Sequence, residues 1–327
     1  MTTNTIPATK TTSLLSTKNI VLLTLLATLL FVPSVVENNY IISVFVYCFI
    51  FGALGVAWNL IGGYGAQISW CHAGFVATGA YTGILLNKFF GLTPFLAIPV
   101  AMAIAYGFAT LVGYGTLRLR GAYFSISTIA FAEILRILLL YFKGITNGSS
   151  GAFITYRGES FLNLTFENDT PFYYIGLVIL LIALAFTKWF EKSKLGYCLG
   201  AIKGDEDAAI SLGIPAFKIK LKAFQISAMM TAAIGVIFAF FLTYIDPTSV
   251  CSMDLSVKIG VVVIVGGIGH MWGPVIGSFI IIPLIEITGI LLGQRGGSQI
   301  LYGLALILIV TSKQDGIIGF FKKPEAK

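Results

Sequence analysis

Residues 223–245 read AFQISAMMTAAIGVIFAFFLTYI and contain no charged side chain. A helix of this length extends about 35 Å, which exceeds the ~30 Å hydrocarbon core of a bilayer. The stretch therefore predicts a transmembrane helix. The same character recurs along the chain and predicts an all-α, polytopic transmembrane helical bundle.

Ten segments have this character and predict about ten crossings: 20–36, 40–61, 67–87, 94–117, 121–142, 171–188, 223–245, 255–269, 271–292 and 298–312. The third contains Gln67, Ser69 and His72, and the eighth and tenth are short. The third is therefore an interrupted segment, and the eighth and tenth are expected to be tilted, broken or re-entrant. Any break is expected to be buried in protein, because lipid cannot satisfy exposed backbone groups.

The composition excludes several classes of protein. Hydrophobic residues make up 57% of the 327 residues and charged residues only 11%, whereas a soluble domain carries about 25% charged residues. The net charge of +7 comes from basic residues in short loops, not from a basic stripe interleaved with aromatics, so no nucleic-acid partner is expected. The cysteines Cys48, Cys71, Cys198 and Cys251 form no CxxC pair, which predicts neither a disulfide framework nor a metal site.

Basic residues predict the orientation in the membrane, because Lys and Arg accumulate in cytoplasmic loops. A cytoplasmic N-terminus leaves only Lys88, Lys143, Arg157, Lys258 and Arg295 outside. The cytoplasmic segments then hold Lys10, Lys18, Arg118, Arg120, Lys188, Lys192, Lys194, Lys203, Lys218, Lys220, Lys222, Lys313, Lys322, Lys323 and Lys327. Both ends are therefore predicted to be cytoplasmic.

This orientation defines the predicted organisation. A cytoplasmic tail, 1–18, precedes a transmembrane domain, 19–312, and a second cytoplasmic tail, 313–327, follows it. The first apolar run could belong to a signal peptide, but no small-x-small cleavage site follows it, so a retained helix is favoured. Two loops are longer than a turn: 143–170 outside and 189–222 inside.

A GGxG sequence occurs at matching places in the two halves, at Gly62–Gly65 and Gly266–Gly269. Each is expected to join two crossings on the cytoplasmic side. Glycine-interrupted segments at corresponding positions of two repeats are typical of transporters. Two unrelated tight turns in a glycine-rich chain are an equal alternative.

The inner loop contains a candidate short helix. Asp205, Glu206 and Asp207 complement the positive end of a helix dipole, and Ala208 and Ala209 favour helix. Gly213 is placed to end it. A helix this short is not stable alone and needs a surface to dock on.

At this point the sequence resembles a family. Asp207-Ala208-Ala209-x-x-x-Gly213 looks like the EAA-x-x-x-G loop of ABC-importer permeases, with Asp in place of Glu. In that family the loop is the coupling helix that seats on the ATPase. The resemblance therefore implies that Asp205, Glu206, Asp207, Ala208, Ala209 and Gly213 couple this chain to an ATPase.

Further motifs narrow the resemblance to the LivM-type permeases of branched-chain amino-acid importers. They are Trp58–Ser69 (WNLIGGYGAQIS), His72–Phe75, Gly79–Thr82, Leu117–Tyr123 (LRLRGAY), Glu133-Ile134-x-Arg136 and Gly266–Pro274. Together they cover about 50–290. Trp70-Cys71 before His72 departs from the family's small or aliphatic pair.

The resemblance implies a transport subunit and not an enzyme. The expected partners are ABC ATPase subunits, a second homologous permease, an extracytoplasmic solute-binding protein and the bilayer. The sequence contains no GxxxxGK[ST] phosphate loop, so no cofactor is expected on this chain and ATP is hydrolysed by a partner. The substrate implied is a branched-chain or related amino acid.

Five polar residues are candidates for the translocation path: Asn59, Gln67, Ser69, His72 and Glu133. Each has a structural alternative. Asn59, Gln67 and Ser69 could hydrogen-bond between helices, and His72 could be a packing residue. Glu133 lies three residues before Arg136, and an internal ion pair is favoured there. Asp254 and Lys258 are expected to form a solvated pair.

Two other classes of function remain as alternatives. An ion-coupled secondary transporter or channel would need an intramembrane acid, for which Glu133 is the main candidate. An integral membrane enzyme would need a His, Asp or Cys cluster, and the sequence has none. The acidic-Ala-Ala-x-x-x-Gly loop favours the importer permease, because only that function requires it.

Overall fold

The computed structural model describes residues 17–154, 158–292, 303–304 and 316–320. Its helices are α1 Thr17–Val35, α2 Asn39–Gly62, α3 His72–Phe90, α4 Pro94–Thr116, α5 Ala122–Tyr141, α6 Lys143–Thr146, α7 Thr170–Glu191, α8 Lys194–Gly204, α9 Glu206–Ser211, α10 Ala216–Leu242, α11 Pro247–Val250, α12 Met253–Gly266 and α13 Gly273–Leu292. Two short strands, β1 Ala152–Phe153 and β2 Tyr244–Ile245, pair antiparallel.

The fold is the predicted polytopic helical bundle. In the described part of the chain, seven helical segments are long and apolar enough to cross a membrane, with α11 and α12 counted as one. The helices α1 and α3, of 19 residues each, lie beside them. The prediction of about ten helices is therefore confirmed, although its tenth segment, 298–312, falls outside the described residues except at 303–304.

Helix α2 forms the centre of the bundle. Every residue from Cys48 to Gly62 is buried, and the helix packs against α7, α10, α12 and α13. Its sequence is apolar on all sides, which is the pattern of a helix surrounded by other helices. Helix α10 links this centre to α3 and α4.

Helices α3 and α10 approach closely at two glycines. A Cβ on Gly79 would lie 2.0 Å from the carbonyl oxygen of Ala232, and one on Gly235 would lie 2.5 Å from that of Val76. No side chain fits in either gap. Small residues at these positions let the two backbones pack directly, as is common between membrane helices.

The third crossing starts later than predicted, at His72 and not at residue 67. Residues 63–71 are not helical, and Ala66 has a φ of 51°. Protein groups satisfy the backbone of this segment: the Trp58 indole donates to the Ser69 carbonyl at 2.7 Å, and the Trp70 amide donates to the Thr128 hydroxyl at 3.0 Å. The expected interruption of this crossing is therefore a non-helical segment, and protein groups bond part of its backbone.

Helix α5 is the least covered of the seven candidate membrane spans. Only Phe124 and Thr128 are buried in it, and apolar side chains such as Ile126 and Ile137 are more than half exposed. The helix lies at the edge of the bundle, joined to α4 by the turn at 117–121.

Candidate functional site

The short helix expected in the inner loop is α9, and its two ends are defined by its own side chains. The Asp205 carboxylate accepts hydrogen bonds from the amides of Asp207 and Ala208, both at 3.0 Å. This is the N-cap arrangement that satisfies otherwise unpaired amides. At the other end Gly213 has a φ of 85°, a conformation that favours glycine.

Two ion pairs attach α9 to different parts of the bundle. The guanidinium of Arg120, in the α4–α5 turn, donates to both carboxylate oxygens of Asp207, at 2.8 and 3.3 Å. These hydrogen bonds and the positive charge lower the pKa of Asp207 below its usual value. On the other side, the ammonium of Lys220, in α10, lies 2.7 Å from Glu206. The Lys220 side chain is 3% exposed, so this pair is anchored inside the fold.

The end of α9 exposes two large apolar side chains, one in its last turn and one directly after it. Leu212 is 82% exposed and Ile210 is 48% exposed. Ala209, on the opposite face, packs with Ile202 and Ala216. Exposed apolar side chains grouped at one place on a surface mark an interaction site. We call Ile210 and Leu212 the apolar tip.

The two GGxG turns meet at the same end of the bundle as α9. The Asn59 carboxamide joins them: it donates to the His270 carbonyl at 3.0 Å and accepts from the Gly269 amide at 2.9 Å. A Cβ on Gly63 would lie 2.6 Å from the Gly269 nitrogen, so no larger residue fits. The second half of the chain is thereby fixed to the end of α2.

The inner loop also touches both turns. The Tyr64 hydroxyl hydrogen-bonds the carboxylate of Glu191, at the end of α7. The Lys203 ammonium, near the end of α8, lies 2.8 Å from the Cβ position of Gly269. The segment that contains α8 and α9 therefore contacts the two turns as well as α10 and the α4–α5 turn.

The five path candidates divide into enclosed and accessible residues. Asn59, Ser69 and His72 are at most 1% exposed. The His72 ring lies 2.9 Å from the Ser227 hydroxyl, which donates to the Ala57 carbonyl at 2.6 Å. These contacts connect α2, α3 and α10. Gln67 is partly exposed, and Glu133 lies on the uncovered face of α5.

Glu133 and Arg136 form the expected ion pair, with the Arg136 Nε 2.9 Å from the carboxylate. The expectation of an internal pair is wrong for this chain alone, because the side chains are 50% and 28% exposed. The reason is that little packs over α5. A charged pair on a helix that crosses the hydrocarbon region requires protein or water beside it.

The sequence analysis missed the roles of two charged residues and misjudged one pair. The sequence analysis used Arg120 and Lys220 only as evidence for the orientation in the membrane. Their partners on α9 are distant in sequence, and the spacing of residues along the chain does not reveal such contacts. Asp254 and Lys258 do not form the expected pair in the described structure. Lys258 instead lies over the Phe51 ring, 5.4 Å from its centroid, because α12 packs against α2.

The fold is that of a multi-pass membrane protein, with a short loop helix held at one end. A model of the family described as branched-chain amino acid transport system, permease component, matches residues 40–310. The chain belongs to this family of ABC-transporter permeases, and it is LivM-like, as the motifs predicted. Permeases of ABC transporters are transport subunits.

The relatives agree with this assignment. The chain is 29% identical to the high-affinity branched-chain amino acid transport system permease protein LivM of Escherichia coli K12, over 81% of this chain and 67% of that protein. It is 26% identical to the probable branched-chain amino acid transport permease protein LivH of Methanocaldococcus jannaschii, over 74% of this chain and 78% of that protein. No solved structure matches the chain.

Proposed function

We propose that this chain is one permease subunit of an ATP-driven importer for branched-chain or related amino acids. It forms half of the translocation path and docks an ATPase subunit through α9. The observation that carries this proposal is the apolar tip on a short, doubly capped helix at the end of the bundle. Apolar surface facing water at this place needs a protein partner.

The energy comes from the partner, because the sequence lacks a phosphate-binding loop. ATP is bound and hydrolysed there, and closure of the ATPases displaces α9. The Arg120–Asp207 pair passes this displacement to the α4–α5 turn, and the Lys220–Glu206 pair passes it to α10. Motion of packed helices as rigid bodies then alternates access to the path.

The path itself is bounded by α5 and by a second, homologous permease. The uncovered face of α5 and the exposed Glu133–Arg136 pair support this placement, since charge at this depth is accommodated beside protein or water. Gln67 lies near the start of the path. Asn59, Ser69 and His72 support its wall by joining helices.

Both ends of the chain are cytoplasmic in this proposal. A Cβ on Gly316 would lie 2.8 Å from the Gly267 amide, so the last described segment lies beside the second GGxG turn. The basic residues of 189–222 lie at the same end, in accordance with the positive-inside rule. The opposite end, with β1 and β2 and the exposed Phe161 and Leu162, faces the solute-binding protein.

The proposal is tested by reconstituting the permease pair with its ATPase and binding protein in liposomes. Leu212→Asp or Ile210→Asp is expected to release the ATPase on purification and to abolish ATP-dependent uptake of leucine. Leu162→Asp, an equally drastic change at the opposite end, is expected to retain the ATPase. Full uptake by Leu212→Asp would refute docking through α9.

An ion-coupled transporter or channel is the alternative, and Glu133 would be its coupling acid. The ion pair with Arg136 argues against it, because a carboxylate held by a guanidinium does not readily exchange protons. Uptake in vesicles that contain the permeases alone, driven by a proton or sodium gradient, would favour the alternative.

A further inference from the structure

A small cavity lies at the end of the bundle opposite α9. Its volume is about 200 Å³, and it is lined by residues of α2, α10, α11, α12 and α13. Most of its wall is apolar, formed by Phe51, Phe238, Leu242, Val250, Leu255, Ile282 and Ile285. Two charged residues, Lys258 and Glu286, and two residues with hydroxyl groups, Tyr47 and Ser249, complete the lining.

The two charges are not paired with each other. In the described part of the chain, ion pairs within 4.0 Å involve Arg120, Arg136 and Lys220, and neither Lys258 nor Glu286 takes part in one. Lys258 makes a cation–π contact with Phe51. Glu286 accepts one hydrogen bond, from the Tyr40 hydroxyl at 3.2 Å. The cavity thus presents an ammonium and a carboxylate separated by a gap.

Unpaired charges in an apolar wall are unfavourable unless a ligand pairs with them or water solvates them. The complementary ligand carries an anion for Lys258 and a cation for Glu286, and it fills the rest of the cavity with apolar atoms. A volume of 200 Å³ holds about seven waters at liquid density, which is the scale of one small amino acid. An α-amino acid with an aliphatic side chain combines all three features.

We propose that this cavity is a transient binding site for a zwitterionic, branched aliphatic amino acid. Lys258 binds the substrate carboxylate, Glu286 binds the ammonium, and Leu242, Ile282 and Ile285 contact the side chain. The proposal rests on the importer function proposed above and adds a site within this chain. Its position opposite α9 places it where solute arrives from the binding protein.

The test measures binding of radiolabelled L-leucine to the purified importer complex in nanodiscs, with the solute-binding protein omitted. Lys258→Met and Glu286→Gln are each expected to weaken binding at least about tenfold, because each leaves a buried charge of the ligand unpaired. Asp254→Asn is the matched control: it removes an exposed charge on the same helix, four residues from Lys258. It is expected to bind leucine normally.

Two analogues test the recognition of both charges. Leucinamide lacks the carboxylate and 4-methylpentanoate lacks the ammonium, and both are expected to compete poorly with leucine. Equal competition by either one would overturn the proposal. So would leucine binding unchanged in Lys258→Met and Glu286→Gln, which would mean that the two charges are joined by water alone.

A zwitterionic lipid headgroup, such as phosphatidylethanolamine, shares the same charged groups. Nanodiscs of phosphatidylglycerol alone distinguish the two sources. If the wild-type complex binds leucine in phosphatidylglycerol nanodiscs and Lys258→Met and Glu286→Gln do not, the amino-acid site is supported. If the wild-type complex binds leucine neither in phosphatidylglycerol nor in phosphatidylethanolamine, the proposal is overturned. ATP-driven leucine uptake by the same complex, with its binding protein, tests the importer function separately. Uptake without a Lys258-dependent site would refute only the cavity proposal.

Discussion

The carboxylate of Asp207 on α9 accepts two hydrogen bonds from the guanidinium of Arg120, 87 residues earlier in the chain. This bidentate geometry fixes orientation as well as distance. It connects the loop helix directly to the turn that begins α5. Both side chains are largely exposed, so the pair serves to position α9 more than to stabilise the fold.

We predict that Arg120→Gln or Asp207→Asn lowers ATP-dependent uptake by about two- to fivefold, the effect expected for an exposed ion pair. Membrane insertion and folding should be unaffected. The charge-reversed double variant Arg120→Asp/Asp207→Arg should recover part of the uptake. Arg118→Gln is the control, because Arg118 lies over the Phe217 ring and has no carboxylate partner in the described structure. Equal losses in the control would contradict the role of the pair.

The same pair should not make transport sensitive to acid near neutrality. Arg120 lowers the pKa of Asp207 below its usual 3.8, so the carboxylate stays ionised in the folded protein. The stabilisation by the pair is fully present above the usual pKa of the aspartate and is lost as pH falls through the lowered pKa of the folded protein. The ratio of uptake in wild type to that in Asp207→Asn should therefore stay constant between about pH 5 and pH 8. A ratio that falls within this range would contradict the assignment.

The effect of a substitution at Gly213 on uptake should depend only on how easily the new residue adopts a positive φ. Its φ is 85°, and nothing lies within 4 Å of its Cβ position, so steric clash is not a factor. Gly213→Asn should keep more uptake than Gly213→Ala, and Gly213→Pro should abolish it, because Asn enters the left-handed region most easily. Uptake by Gly213→Pro at the wild-type rate would remove the coupling role of α9.

A second test of α9 concerns its surface. Ala208 is exposed, whereas Ala209 is 2% exposed and packs against the bundle. Ala208→Asp should therefore abolish ATP-dependent uptake by disturbing the docking surface while leaving folding intact. Ala209→Asp should also reduce the amount of folded protein, since it buries an unpaired charge. Normal uptake by Ala208→Asp would show that this surface carries no partner.

Asn59→Leu should destabilise the protein more than Asn87→Leu. The first change leaves the Gly269 amide and the His270 carbonyl without their partner, and each such buried group costs about 1–3 kcal/mol. Asn87 is also buried but donates only to the Leu92 carbonyl at the end of its own helix. Denaturation in mixed micelles measures the free energy of unfolding of both variants. Equal losses of stability in Asn59→Leu and Asn87→Leu would contradict the bridge between the two turns.

Gly79→Ala and Gly235→Ala should each separate α3 from α10 and lower stability by about 1–3 kcal/mol, the range for overpacking a close interface. Gly107→Ala in α4 is the matched control, because its Cβ position has no neighbour within 4 Å. That change should be neutral or slightly stabilising, since Ala favours helix. A tolerated Gly79→Ala would mean that the two backbones are not in contact.

The sequence analysis predicted most helices to within a few residues, because an apolar run long enough to cross a bilayer has few other conformations that satisfy its backbone hydrogen bonds. The exceptions are informative. The third helix begins at His72 and not at residue 67, and α10 begins at Ala216 and not at residue 223. In the first case Trp58 and Thr128 satisfy an extended backbone, which no local pattern reveals. In the second, Lys220 in the first turns of α10 pairs with Glu206 of α9, so its charge does not end the helix.

The local structure of α9 was also predictable, since Asp205 and Gly213 carry the signals for a helix start and stop. Its attachments were not, because Arg120 and Lys220 come from elements distant in sequence. The cavity around Lys258 and Glu286 depends on the packing of five helices. Sequence spacing instead suggested Asp254 as the partner of Lys258.

The sparse covering of α5 has a consequence for the degradation of this chain in the cell. An ionised pair and a row of uncovered side chains make this helix a poor occupant of lipid on its own. In the proposed importer the second permease covers α5, so a copy synthesised without that partner is expected to be removed by the quality-control proteases of the membrane. Folding of this chain would then depend on balanced production of both permeases.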